Sequence, residues 1–156
     1  SQAELMDIQS LMFESTELAF NPESKNDIMG LIARCGRGTA RPVKNIIQKL
    51  EMYCIGNDIV EVTMDTIMEV LKLSKVYPQG LTECEVFLMT ILEMKEVNAA
   101  QFLAMRPNAS ANELKKSIGY LTCPTKDFVA VSSKGFRITK KGLSYVKALR
   151  KIGFID

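Results

Sequence analysis

The chain has 156 residues, 47% of them hydrophobic and 24% charged, with no histidine. That length suits one domain or two small ones, and that balance describes a core-forming protein and excludes disorder. The formal net charge is only +2, no apolar run reaches the roughly eighteen residues of a membrane span, and the first residues lack the basic and apolar regions of a signal peptide. A cytoplasmic chain with no membrane partner is expected.

The absence of histidine removes the usual general base and the commonest metal ligand. Cys35, Cys54, Cys84 and Cys123 include no C-x-x-C pair and fit neither a zinc site nor a disulfide framework. They are expected to be reduced and mostly buried, and no metal site is expected.

In chain order, "AELMDIQSLMFESTELAF" sets Leu5, Ile8, Leu11 and Met12 at helical spacing with acids between them, an amphipathic helix. Asn21 then reads as the N-cap of a second helix, with Pro22 at its first position, a stripe of Ile28, Leu31 and Ile32, and an end at Gly36 and Gly38. A third helix after Pro42 turns Val43, Ile46, Ile47 and Leu50 inward, and a fourth, capped by Thr63, carries Ile67, Met68, Val70 and Leu71. Pro78 and Gly80 interrupt the pattern, which divides the chain into modules 1–76 and 77–156.

The second module opens with a capping box of Thr82 and Glu85 ahead of Phe87, Leu88, Ile91 and Leu92. A shorter helix covers "NAAQFLAM". Ser110 and Glu113 repeat the capping box for "SANELKKSIGYL", whose apolar side is Leu114, Ile118 and Leu121, with Asn112, Lys115, Lys116 and Gly119 on the other. "FVAVSSKGFRIT" reads as two strands joined by Ser133, Lys134 and Gly135, and Thr139 caps a last helix. Met64, Met68, Met89 and Met94, at helical spacing, read as core filling. The expected fold is therefore mainly α, a small helical bundle followed by a winged helix-turn-helix with a two-stranded wing.

Charge is distributed unevenly. Residues 1–30 carry six acids against Lys25 alone, whereas from Asn98 onward eleven Lys and Arg face three acids. A polyanion is the expected partner of the C-terminal third. Lys115, Lys116, Lys134, Arg137, Lys140 and Lys141 are candidate phosphate contacts, and Asn112 is the one obvious base-edge reader on its helix. Winged helices also dock proteins, and a helical dimerisation module ahead of a sequence-specific reader is a second arrangement that fits. "GRGTAR" is no Walker A loop, yet Arg41 follows a glycine turn near a helix start, where it can reach an anion or simply be solvated.

Taken in order, the acidic first helix, "RGTAR", "PVKNIIQKL", "VTMDTIMEVLKL" and "QGLTECEVFLMTIL" resemble the C-terminal half of RuvB-like proteins, AAA+ motors that drive branch migration of Holliday junctions. The resemblance covers nearly the whole chain. It implies an AAA+ lid-type four-helix bundle over 1–76 and a winged-helix DNA-binding domain over 77–156. Arg41 falls on the sensor-2 arginine, residues 118–121 on the end of the recognition helix, and Gly135 and Arg137 on the wing. It also implies ATP and Mg as cofactors of a full-length parent, with the Walker motifs upstream of Ser1, none bound by this chain alone, and no ATPase activity here. The implied partners are duplex or branched DNA, the AAA+ core and neighbouring subunits of a ring. Ala40 stands where the family has proline, "KEVNAAQF" replaces a glycine-rich segment, and "TCPTKDFVAVSS" is longer than the family's wing. "GTAR" is also shared by origin-recognition and clamp-loader lids, which keeps that kinship open.

Overall fold

The structure, a computed structural model, describes Ala3, Glu4, Asp7, Gln9, Ser10, Glu14, Thr16 and residues 18–156. The apolar positions of the first expected helix, Leu5, Ile8, Leu11 and Met12, lie outside the described residues. Two compact units divide the chain, Ser1–Thr82 and Glu83–Asp156.

The first unit contains β1 (Ala19–Phe20), α1 (Lys25–Cys35), α2 (Ala40–Gly56), β2 (Glu61–Val62), α3 (Met64–Leu73) and a 3-10 turn at Pro78–Gly80. Its core follows from the 3.6-residue period. Val43, Ile46, Ile47, Leu50 and Cys54 share one side of α2 and are all buried, facing Ile28, Ile32 and Ala33 of α1 and Ile67, Val70 and Leu71 of α3. Thr63 caps α3 reciprocally with Thr66. β1 and β2 form a parallel pair of two residues each, extended by the Asn21 amide donating to Val62 O at 3.1 Å. Such short pairing leaves no alternation to read in a sequence.

Asn21 serves the start of α1 as expected: its Oδ1 accepts the Glu23 amide at 3.0 Å and its carbonyl accepts those of Ser24 and Lys25, the bonds of an N-cap, although the regular helix begins only at Lys25, after Ser24. One helix start differs from expectation. α2 begins at Ala40 and takes Pro42 into its first turn, where a missing N–H leaves no intrahelical bond unmade. Arg41 is thereby inside the helix.

The Pro78–Gly80 turn folds back onto the end of α1. Gly80 has φ 77°, and a Cβ there would meet Cys35 O at 2.8 Å. Arg37, itself at φ 52°, donates Nη1 to Gly80 O at 3.3 Å. The residues that punctuate the sequence thus belong to the first unit, and the division falls after Thr82.

The second unit runs α4 (Glu83–Leu92), α5 (Ala99–Met105), α6 (Ala111–Thr122), β3 (Val129–Ser132), β4 (Gly135–Ile138) and α7 (Lys140–Lys151). β3 and β4 pair antiparallel with Val131 opposite Phe136 and Ser132 opposite Gly135, so the turn is Ser133–Lys134 and Gly135 belongs to the strand. On the other edge of β4, Val97 bridges Phe136, whose amide donates to Val97 O at 2.8 Å. Gly135 has φ 130°, and a Cβ would approach Val97 O to 2.5 Å, so only glycine fits beside this third strand position. Helix, single bridge, two helices and ribbon make a winged helix-turn-helix, with a core of Leu88, Met89, Phe102, Leu121, Phe128 and Val146.

The methionines divide. Met89 is buried, Met64 and Met68 are half-buried, but Met94 is 88% exposed, because α4 stops at Leu92 and the turn beyond carries Met94 off the helical phase. Cys35 and Cys54 are buried, Cys84 and Cys123 half-buried, and all four are free thiols. Burial pushes the Cys35 thiol above its ordinary value.

Both ends that orient α5 and α6 are closed by capping boxes, Asn98 with Gln101 and Ser110 with Glu113. Replacing Ser110 by Ala removes the acceptor for the Glu113 amide and is expected to lower stability by about 1 kcal/mol in urea unfolding.

Candidate nucleic-acid interface

α6 presents two different sides. Leu114, Ser117 and Leu121 are buried, whereas Asn112, Lys115, Lys116 and Gly119, spaced three and four residues apart, are exposed together. Glu113, the one acid of this helix, folds back to accept the Ser110 amide at 3.3 Å. Ile118 is half-buried and, with Ala99, Leu103, Ala111, Leu114, Lys115, Val131 and Phe136, lines an apolar cleft of about 300 Å³ between α5, α6 and the ribbon. Lys115 therefore stands where the exposed side of α6 meets the apolar side of the wing.

The wing residues are less uniform. Lys134 is exposed in the two-residue turn at the ribbon tip. Arg137 pairs with Ala130 and so projects from the opposite side of the ribbon to Val131 and Phe136. Lys140 and Lys141 occupy the first turn of α7, which contains no acid, so both sit against the positive end of that helix. That placement opposes the helix dipole, and Lys141 relieves it by donating Nζ to Thr125 O at 3.2 Å above the Phe128 ring.

Three other basic groups of this unit, Arg150, Arg106 and Lys126, are engaged within it. The Arg150 guanidinium makes a two-pronged bond to Glu93, at 2.7 and 3.0 Å, and this bond holds the Glu93 carboxyl below its usual value. Arg106 lies 5.3 Å from the Phe87 ring centroid and Lys126 5.6 Å from that of Tyr120. Residue counts alone do not separate these from the lysines of α6, because partners such as Glu93 and Arg150 are 57 residues apart. Among the described residues neither Lys115 nor Lys116 is ion-paired.

In the first unit, Arg41 is exposed in the opening turn of a 17-residue helix that has no acid in that turn. Thr39, the N-cap, does not cap it. Its hydroxyl donates to Gly36 O at 3.0 Å, and the turn is so tight that a Cβ on Gly36 would meet Val43 Cγ2 at 2.6 Å. Pro42 has no amide to offer. The positive end of α2 is thus left uncapped by side chains, with a guanidinium beside it, which suits an anion. The two arginines of "RGTAR" have separate places, Arg37 tied to Gly80 and Arg41 exposed.

Among the described residues no group of three or more His, Cys, Asp or Glu is placed to hold a metal ion, and no helix is long and apolar enough to cross a membrane.

No protein-family model and no curated protein matches the chain. Among solved structures it is similar to the Holliday junction branch migration motor RuvB of Thermotoga maritima, at 17% identity and a TM-score of 0.71, over 94% of this chain and 49% of that one. Two point mutants of the same RuvB match with the same values. The chain spans about half the length of the structures it matches. What the likeness establishes is the architecture: this chain has the fold of about half of the RuvB chain, a helical unit followed by a winged helix-turn-helix.

Proposed function

We propose that the chain is the C-terminal lid and DNA-binding portion of a RuvB-like, ATP-dependent DNA motor that acts on duplex or branched DNA in recombination, repair or replication. The observation that carries this reading is the exposed side of α6, where Asn112, Lys115 and Lys116 stand unencumbered on the third helix of a winged helix-turn-helix. In that architecture the third helix enters the major groove and the ribbon meets the neighbouring backbone. Lys115 and Lys116 contact phosphates, as do Lys134 at the ribbon tip, Arg137 and Lys140, with Lys141 a weaker contributor because it also serves Thr125 O. Asn112 has the donor and acceptor needed to touch a base edge, but one such residue supports little sequence preference.

Arg41 acts as the nucleotide sensor. ATP, when bound by the motor's core, supplies the energy for movement, and Arg41 at the uncapped end of α2 meets its phosphates. In this reading the Mg ion would be held by that core. Neighbouring subunits of a ring and the core itself are the protein partners of the lid. The chain alone has no ATPase activity in this reading.

Competition binding tests the proposal. Unlabelled random duplex is expected to displace a labelled duplex or four-way junction with nearly the same midpoint as the cognate unlabelled competitor. A preference of a hundredfold or more for one duplex sequence would replace the motor reading with that of a sequence-specific regulator.

A further inference from the structure

Of the helical glycines, two have nothing within 4 Å of an added Cβ, Gly56 at the very end of α2 and Gly119. Gly142 in α7, by contrast, is required because a Cβ there would collide with the Phe128 carbonyl. Gly30 faces the end of the Arg34 side chain at 3.2 Å. Gly119, inside α6, has nothing within 4 Å of an added Cβ, and its φ lies outside the left-handed region. A glycine inside an exposed helix destabilises it relative to alanine, and here no packing or backbone conformation offsets that loss.

The position of this bare spot matters. Gly119 lies three and four residues after Lys116 and Lys115, on the same side as Asn112. Helical side chains lean toward the N-terminus, so a side chain at 119 would cover the turn that bears these two lysines. Without one, the helix backbone is open between two ammonium groups.

We propose that Gly119 keeps α6 bare so that a phosphate–sugar strand of nucleic acid can pass against the helix backbone between Lys115 and Lys116. This rests on the DNA-binding reading above and extends it to a residue that carries no charge and donates no side-chain bond. Glycine serves this purpose wherever a backbone must approach a ligand closely.

The test is Gly119→Ala in the full chain, read by thermal melting and by fluorescence anisotropy with a labelled duplex and a labelled four-way junction. The variant is expected to melt higher, by about 4 °C. Its DNA affinity is expected to fall about tenfold, equivalent to about 1.4 kcal/mol. The slope of log K against log[salt] should stay as in the wild type, since no charge is removed. Gly119→Leu should bind more weakly still, and Gly56→Ala, equally free of clashes, should bind as the wild type does.

Unchanged or tighter binding by Gly119→Ala overturns the proposal. So does weaker binding accompanied by a lower melting temperature, which would place the loss in folding. A wild-type chain that shows no salt-dependent DNA binding removes the DNA reading itself, a result distinct from either of these.

Discussion

Affinity for duplex DNA is expected to fall with added salt at a slope of log K against log[salt] of about −4.5, the value for five phosphate contacts at roughly −0.9 each. The five are Lys115, Lys116, Lys134, Arg137 and Lys140, all exposed, whereas Lys141 is already bonded to Thr125 O. Between 50 and 200 mM salt this amounts to roughly a 500-fold loss, easily measured by anisotropy titration. Replacing Lys115 and Lys116 together by Ala should reduce the slope by about 2 and weaken binding to all sequences alike. Counting every basic residue beyond Asn98 would give a far steeper slope. The smaller value is expected because Arg150 is held by Glu93, Arg106 and Lys126 lie against aromatic rings, and Lys147 and Lys151 stand in the second half of α7, outside α6 and the ribbon. Binding with no salt dependence would mean that the exposed side of α6 meets something other than a polyanion, such as a protein partner.

Phe128→Ala is expected to lower stability by about 4 kcal/mol in urea unfolding followed by circular dichroism. Phe128 is 1% exposed and stacks on Tyr145 with ring centroids 4.8 Å apart. Its amide donates to Leu121 O at 2.9 Å, and its carbonyl accepts the Thr139 amide at 3.0 Å. It therefore ties the end of α6 to the start of α7 through one residue, and its removal opens a cavity among both helices and β3. A domain of this size has on the order of 0.1 kcal/mol of stability per residue, so the loss would leave the winged helix marginal and blunt DNA binding through unfolding. A change below 1 kcal/mol would show that the site collapses to refill itself and that Phe128 is not central to the core.

What was legible in the chain was whatever depends on near neighbours. Val43, Ile46, Ile47 and Leu50 announced α2 and all proved buried, because a helical period brings residues three and four apart to one side whatever surrounds them. The caps at Thr63, Ser110 and Thr139 were legible for the same reason, as each closes a bond within three residues. Asn21 belongs with them, since it closes a bond to the Glu23 amide two residues on. The resemblance to RuvB-like proteins rested on the order of such local signals, and the likeness of fold extends over 94% of the chain.

The local sequence by itself determined the helices, their buried sides and the basic side of α6, since these are set by spacing along one chain segment. Only the tertiary structure decided which charges are free and which glycines are required. Arg150 meets Glu93 57 residues away, Arg37 meets Gly80, and Gly142 lies against the Phe128 carbonyl while Gly119 lies against nothing. Each depends on chain segments brought together by burial of apolar surface, a non-directional force whose choice of neighbours leaves no periodic mark on the sequence.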